Sequence, residues 1–145
     1  MKDSMKFPRV PYAMTVHDSK EIKAVVNTLK TSTQMGKKTR EFEKKIAQLY
    51  GKKYGIGVNS GTSALYLAME SFDIPKGSEV ITPILTFATT VGCIVKNGLI
   101  PAFVDVNLET LCIDHKKIER MIHKKTKALC IPNLMGNYPN WEKIY

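Results

Sequence analysis

The order in which short apolar runs alternate with helical patterns most constrains the fold of this chain. Two amphipathic helices are predicted first, because apolar residues recur there at helical spacing. The residues that carry this spacing are Ile22, Val25, Val26 and Leu29 in the first helix, and Phe42, Ile46 and Leu49, after Gly36, in the second.

The period then changes, and four short apolar runs predict strands at residues 54–58, 79–82, 101–105 and 127–132. Helices are predicted between them at residues 65–72, 86–97 and 115–124, the last with Ile118, Met121 and Ile122 facing inward and Asp114 as its N-cap. Strands that alternate with helices of about ten residues indicate βαβ units. The chain is therefore predicted to be an α/β protein with a mostly parallel sheet flanked by helices.

One of the predicted strand-to-helix turns carries small, hydrogen-bonding residues, Asn59-Ser60-Gly61-Thr62-Ser63. Glycine permits close approach of the backbone, hydroxyls donate hydrogen bonds, and the free amides at the start of a helix attract anions. The segment therefore suggests a phosphate cradle. The residues alone leave open an ordinary turn in which Ser60 or Thr62 only caps the helix.

Ligands of open α/β sheets bind beyond the carboxyl ends of the strands. The turn at residues 60–62, the turn at Thr86-Phe87 and the loop at residues 133–136 all follow predicted strands. We therefore expect these three segments to be able to converge on one site.

Composition and spacing argue against several other classes of function. The chain has 22 Lys+Arg against 13 Asp+Glu, but the cations are spread along predicted helices and no nucleic-acid-binding motif accompanies them. Gly55-Ile56-Gly57 lies inside a predicted strand rather than after one, which disfavours a dinucleotide fingerprint. The three histidines and three cysteines have no metal-ligand spacing, so no metal is expected.

The expected location is the cytoplasm. The chain starts with charged residues and prolines rather than the apolar core of a secretory signal. Its longest uncharged stretch, residues 80–95, contains Pro83 and is shorter than the ~20 residues of a membrane helix. Three widely separated cysteines in apolar segments are typical of reduced, buried thiols.

Six short motifs follow one another along the chain with characteristic gaps. They are Gly36…Phe42-Glu43, Asn59-Ser60-Gly61-Thr62-Ser63-Ala64-Leu65, Gly77-Ser78-Glu79-Val80-Ile81-Thr82-Pro83, Thr86-Phe87-Ala88-Thr89, Pro101-Ala102-Phe103-Val104-Asp105-Val106 and Ile113-Asp114. In this order, from about Thr31 to the end, the chain resembles the N-terminal part of the DegT/StrS-type sugar aminotransferases, a branch of the fold-type I pyridoxal-phosphate enzymes.

This resemblance implies the fold, the cofactor and the reaction. The chain would be part of a fold-type I large domain, in a homodimer whose active sites lie at the subunit interface. The cofactor would be pyridoxal 5'-phosphate. The reaction would transfer an amino group, with glutamate as donor, to a nucleotide-linked keto-sugar in the synthesis of amino sugars or surface polysaccharide.

The resemblance also implies roles for particular residues. Gly61, Thr62 and Ser63 match the turn that holds the cofactor phosphate, and Phe87 matches the aromatic residue that lies over the pyridine ring. Asn133 lies near the position of a residue that faces substrate or cofactor. The surrounding Pro132-Asn133-Leu134-Met135-Gly136-Asn137 departs from the usual family pattern, which leaves the subgroup and the substrate open.

Two groups that the cofactor chemistry needs are expected beyond Tyr145: the lysine that binds the cofactor covalently and the acid that keeps its ring nitrogen protonated. Residues 139–144 look like the first turn of a further helix, so we expect a truncated chain that is inactive alone. Residues 1–35 would be an N-terminal segment with a helix, and residues 36–145 a partial cofactor-binding domain. A deoxysugar 3-dehydratase of the same family, with histidine in place of the lysine, and a non-catalytic remnant remain as alternatives.

Overall fold

The computed structural model describes residues 8–32, 34 and 36–145. The chain divides into two units, one that ends at Gly57 and one that comprises Val58–Tyr145, and each is described by itself. The second unit contains a parallel sheet with helices packed against it, so the predicted α/β class is confirmed. The functional division of the sequence at residues 35 and 36 stays a prediction.

The first unit contains the two helices that were predicted from its apolar spacing. Helix α1 spans Ser19–Thr31 and helix α2 spans Lys37–Leu49. Asp18 caps α1, because its carboxylate accepts from the Lys20 amide at 2.6 Å while the Asp18 amide donates to the Glu21 carboxylate at 2.8 Å. This reciprocal pair explains why α1 begins where it does.

The predicted strand at residues 54–58 is wrong, because these residues pair with no strand of the described chain. Instead, this segment meets Glu43 of α2, whose carboxylate accepts from the Gly57 amide at 2.7 Å. An added Cβ on Gly55 would lie 2.5 Å from the Glu43 backbone oxygen, so glycine is required for this close approach. The two glycines therefore serve backbone packing rather than a nucleotide fingerprint.

The second unit has a three-stranded parallel sheet. Strand β1 spans Glu79–Pro83, β2 spans Ile100–Val104 and β3 spans Thr126–Leu129, in the order β2-β1-β3. Ile81 of the central strand pairs with Ala102 of β2 and with Leu129 of β3. The last three predicted strands are therefore confirmed, with ends shifted by one to three residues.

Two helices follow the turns that were expected to bind ligand. Helix α3 spans Gly61–Glu70 and helix α4 spans Ala88–Lys96. Helix α3 begins four residues before its predicted start at residue 65, and α4 begins two residues after its predicted start at residue 86. Each starts within the motif that the resemblance assigned to the cofactor, so helix N-termini do lie at these two segments.

Neighbouring residues of β1 anchor two separate hydrophobic clusters, because successive side chains of a strand point to opposite faces. Val80 packs in the cluster that joins α3 and α4, with Met69, Cys93, Ile94 and Leu99. Ile81 packs in the other cluster, with Ala102, Val104, Ile113 and Ile118. The sheet thus holds α3 and α4 on one face through side chains that are almost fully buried.

The predicted helix at residues 115–124 is wrong in form. The chain makes two 3₁₀ turns, His115–Lys117 and Glu119–Met121, of which the first is capped by Asp114 as expected. Ile118 is buried, but Ile122 is 56% exposed and has an extended backbone. The Thr126 hydroxyl accepts from the His123 amide and donates to the Met121 carbonyl, which closes the turn into β3 and prevents a longer helix.

The last turn of the described chain matches its prediction. Helix α5 spans Trp141–Ile144, and the Asn140 side chain accepts from the Lys143 amide at 3.2 Å. A 3₁₀ turn at Leu134–Gly136 precedes it. Within the ranges given above, no helix combines the length and the apolar character that crossing a membrane requires.

We predict that Ile94→Ala destabilises the protein far more than Val95→Ala. Ile94 has no exposed surface, whereas its neighbour on α4, Val95, is 57% exposed. Loss of a buried isoleucine costs about 2–5 kcal/mol in the free energy of unfolding, and an exposed site about 0.5 kcal/mol or less. Urea unfolding of both variants measures this difference, and equal losses would contradict the described core.

Candidate functional site

The site is built around the first turn of α3. Ser60 is the N-cap of this helix, and its hydroxyl oxygen accepts from the Ser63 amide at 3.1 Å. The Ala64 amide donates to the Ser60 carbonyl, also at 3.1 Å. The amides of Gly61 and Thr62 have no acceptor among the described residues. Two backbone donors with the positive end of a helix dipole behind them are therefore available to an anion.

A chain of side-chain hydrogen bonds lies beside these amides. The Ser60 hydroxyl donates to the Ser63 oxygen at 3.1 Å, and the Ser63 hydroxyl donates to Asn59 Oδ1 at 2.7 Å. The Thr62 hydroxyl makes no hydrogen bond to any described residue. Asn59 belongs to the predicted turn but was assigned no role of its own, although its spacing of four residues from Ser63 could have indicated the pairing.

A cavity of about 570 Å³ opens between α3 and α4. Its lining comprises Val58, Asn59, Thr62, Ser63, Tyr66, Leu67, Ala88, Thr89, Gly92, Cys93 and Lys96. The structure therefore brings Thr62 and Ser63 together with the start of α4. Gly61 borders open space, because an added Cβ would have no neighbour within 4 Å.

Phe87 lies immediately before the cavity-lining Ala88, as the N-cap residue of α4. Its side chain is 70% exposed, so a large aromatic surface is uncovered in this unit. The preceding residue, Thr86, has a buried hydroxyl without a hydrogen-bond partner, and so does Thr82 near the end of β1. The loop between β1 and α4 thus presents an aromatic ring, and two buried hydroxyls, one in β1 and one in this loop, have no partner among the described residues.

Asn133 is placed apart from this cavity. It precedes the Leu134–Gly136 turn, and its side-chain oxygen accepts from the Trp141 indole nitrogen at 3.2 Å. It does not line the cavity between α3 and α4. Of the three segments expected to converge, the first reaches this cavity through Thr62. Thr86 and Phe87 of the second do not line it, although the next residues, Ala88 and Thr89, do. A substrate contact of Asn133 stays a prediction.

The charges of the cavity favour an anionic ligand. Among the described residues, the lining contains no carboxylate, and its one cation is Lys96, whose amine lies 4.7 Å from the centre of the Tyr66 ring. Burial, together with the neighbouring Cys93, raises the pKa of the Cys130 thiol to about 11. Burial also raises the pKa of Cys93. Both thiols are therefore protonated at neutral pH.

A second polar cluster lies past the end of β2. The Lys117 amine approaches the Asp105 carboxylate at 3.1 Å and the Asp114 carboxylate at 3.6 Å. The hydrogen bond from Lys117 is the main cause that lowers the pKa of Asp105. Because these groups are mutually paired and Asp105 is exposed, the cluster ties the first 3₁₀ turn to the sheet and offers little to a ligand.

The residues present fit pyridoxal phosphate. The phosphate needs hydrogen-bond donors without nearby carboxylates, which the Gly61 and Thr62 amides and the Thr62 hydroxyl supply. The pyridine ring needs an aromatic surface, which Phe87 leaves uncovered. In residues 8–32, 34 and 36–145, no three histidine, cysteine or acidic side chains come together as metal ligands would.

Comparison with known proteins places the chain in a defined group. The sequence model of the DegT/DnrJ/EryC1/StrS aminotransferase family matches residues 15–145. The spore coat polysaccharide biosynthesis protein SpsC of Bacillus subtilis is 39% identical over 121 residues, which are 83% of this chain and 31% of that protein. A dTDP-3-amino-3,6-dideoxy-alpha-D-galactopyranose transaminase of Aneurinibacillus thermoaerophilus is 37% identical over 127 residues, 86% of this chain and 35% of that protein.

A solved structure agrees with the sequence match. The GDP-4-keto-6-deoxy-D-mannose-3-dehydratase of Escherichia coli, with bound hydrated pyridoxal phosphate, superposes with a TM-score of 0.89 at 31% identity. The match covers 94% of this chain and 37% of the dehydratase. The chain thus spans about a third of the length of these relatives.

We predict that the stability of the protein falls between about pH 9 and pH 11 partly through Cys130. The thiol ionises at its ordinary pKa of 9.0 when unfolded and at about 11 when folded. The folded state therefore binds more protons in this window, so rising pH favours unfolding. The free energy of unfolding, measured against pH for wild type and Cys130→Ala, should fall less steeply in the variant. Parallel curves would contradict the assignment.

Proposed function

The chain belongs to the DegT/DnrJ/EryC1/StrS aminotransferase family, and from this premise we propose that it forms part of the cofactor-binding domain of a sugar aminotransferase. The whole protein would use pyridoxal phosphate to transfer an amino group from glutamate to a nucleotide-linked keto-sugar. The family match over residues 15–145 and the donor-rich start of α3 support this proposal together.

The observation that carries the proposal is the pair of free amides at Gly61 and Thr62 beside a cavity without carboxylates. A phosphate dianion at this position would receive backbone hydrogen bonds and the field of the α3 dipole. The Thr62 hydroxyl would add a side-chain donor. These residues would fix one end of the cofactor and leave its ring to be oriented by other contacts.

Phe87 would orient the other end. Its exposed ring lies one residue before the wall of the cavity, where it could stack on a flat heteroaromatic ring. When bound, pyridoxal phosphate supplies an electron sink that stabilises negative charge on the amino donor. Stacking from Phe87 and anchoring at α3 would hold that ring in one plane while protons are transferred.

The residues that move those protons are proposed to lie in the part of the relatives' length that this chain does not span. Lys96, the lysine among the described residues of the cavity lining, is held over the Tyr66 ring, with its amine 4.7 Å from the ring centre. It is therefore a poor candidate for covalent attachment of the cofactor. We expect the attaching lysine and the acid at the ring nitrogen elsewhere in a homodimeric protein.

The biological role would be the synthesis of an amino sugar for a surface polysaccharide. The name of SpsC, a spore coat polysaccharide biosynthesis protein, supports this role. The keto-sugar and its nucleotide stay open, because Asn133 and its neighbours differ from the usual family pattern and are engaged with Trp141.

A 3-dehydratase is the second candidate. It is favoured by the structural match to the Escherichia coli GDP-4-keto-6-deoxy-D-mannose-3-dehydratase and by a second dehydratase, from Yersinia pseudotuberculosis, at 33% identity over 141 residues. The two reactions would share the phosphate anchor and the stacking ring described above. They would differ in whether the sugar keeps the transferred nitrogen.

The experiment is to incubate the whole protein with pyridoxal phosphate, glutamate and a set of nucleotide-linked keto-sugars, and to weigh the sugar products by mass spectrometry. An aminotransferase exchanges the keto oxygen for nitrogen, so an aminated sugar is the expected result. A sugar that has lost one oxygen and gained no nitrogen would establish the dehydratase. Absence of cofactor binding and of any product would overturn both and leave the non-catalytic alternative.

We predict that Phe87→Ala weakens cofactor binding while Phe72→Ala does not. Both side chains are 70% exposed, so the two truncations remove similar amounts of uncovered aromatic surface. Offset stacking contributes about 0.5–1.5 kcal/mol beyond buried area, which corresponds to roughly 2- to 10-fold in affinity. Titration of each whole protein with pyridoxal phosphate, followed by absorbance, gives the dissociation constants, and equal values for the two variants would contradict the role of Phe87.

A further inference from the structure

In the side-chain amide of Asn59, the oxygen is hydrogen-bonded and the nitrogen has no acceptor among the described residues. Its oxygen accepts the Ser63 hydroxyl at 2.7 Å, while its nitrogen donates to no described residue. Asn59 lines the same cavity as Thr62, three residues further along the chain. Because the oxygen and nitrogen of an amide share one rigid plane, a bond that holds the oxygen also fixes where the two N–H groups can point.

The hydroxyl of Ser63 is committed to this bond. A serine hydroxyl has a single proton, and that of Ser63 is directed at Asn59, while that of Ser60 is directed at Ser63. Neither proton is then available to an anion at the start of α3. Among the described residues from Asn59 to Ser63, the side-chain donors that remain are the Thr62 hydroxyl and the Asn59 amide.

We propose that Asn59 is a further phosphate-binding residue, whose side-chain amide donates to the cofactor phosphate, and that Ser63 is a positioning residue that orients it. This proposal rests on the proposed function and deepens it. It changes the role that the resemblance implied for Ser63, whose hydroxyl holds the Asn59 amide instead of the phosphate.

The surroundings of Asn59 suit this role. No described residue of the cavity lining carries a carboxylate that would compete for the amide protons. Asn59 itself is exposed and precedes the helix, so its side chain can be changed without opening a hydrophobic core. Hydrogen bonds to a charged group are stronger than those to a neutral one, so removal of this donor should be measurable as a loss of affinity.

The test is a double-mutant cycle with Asn59→Leu, Ser63→Ala and the double variant, each made in the whole protein. The dissociation constant of pyridoxal phosphate is measured by absorbance titration, and far-ultraviolet circular dichroism checks the fold. Asn59→Leu should weaken binding about 10- to 100-fold. Ser63→Ala, which only frees the amide to rotate, should weaken it about 2- to 10-fold.

The double variant decides between direct and indirect action, because contacting residues reveal their coupling only in such a cycle. If Asn59 donates to the phosphate, Asn59→Leu still weakens binding when Ser63 is already alanine. If Asn59 acts only through Ser63, the second substitution has no further effect, and this result would overturn the proposal.

Two controls test whether a loss of affinity in Asn59→Leu comes from a lost contact with the phosphate. Pyridoxal without its phosphate should bind wild type and Asn59→Leu equally, and an equal loss for both ligands would also overturn the proposal. Asn107→Leu removes an asparagine whose oxygen accepts from the Glu109 amide far from this cavity, and it should leave the affinity unchanged. If the wild type does not bind pyridoxal phosphate, the proposed function fails and the inference about Asn59 fails with it. If the wild type binds but the affinities of the variants differ from those expected above, only the inference about Asn59 fails.

Discussion

The way in which the first turn of α3 satisfies its backbone amides determines what this site can bind. The Ser60 hydroxyl accepts from the Ser63 amide and the Ser60 carbonyl accepts from the Ala64 amide, while the amides of Gly61 and Thr62 have no acceptor in the described part of the chain. A capped helix start with two free amides is stable as it stands and still attracts an anion. A carboxylate in the same cavity would largely cancel the attraction, but none of the described residues that line it carries one.

The sheet gives this turn its rigidity. Val80 in the central strand packs in the cluster that contains Met69 of α3 and Ile94 of α4, so both helices are held against one face through side chains that water does not reach. The cavity opens between those two helices, and the loop from β1 brings Phe87 to the start of α4. The proposed phosphate anchor and the proposed stacking ring would therefore be positioned by the same core, and such preorganisation favours tight binding of a flat, phosphorylated ligand.

The features that the sequence predicted correctly are those that depend on residues close together along the chain. The apolar spacing of α1 and α2, the strand at Glu79–Pro83 and the cap at Asp114 were all readable, because each depends on residues a few positions apart. A strand at residues 54–58 was predicted wrongly, because a strand forms only when another strand pairs with it. Here the Glu43 carboxylate accepts from the Gly57 amide instead. Within the site, the hydroxyl motif was visible, but the pairing of Ser63 with Asn59, and of Asn133 with Trp141, depends on side-chain geometry that no periodicity reports.

The central claim is that the anion is held by the start of α3. The most direct measurement follows the backbone amide resonances of the whole protein by nuclear magnetic resonance as pyridoxal phosphate is added. The account predicts that the amide protons of Gly61 and Thr62 move downfield as they gain a charged acceptor. If those two resonances stay in place while others respond to saturating cofactor, the phosphate is bound elsewhere and the account is contradicted.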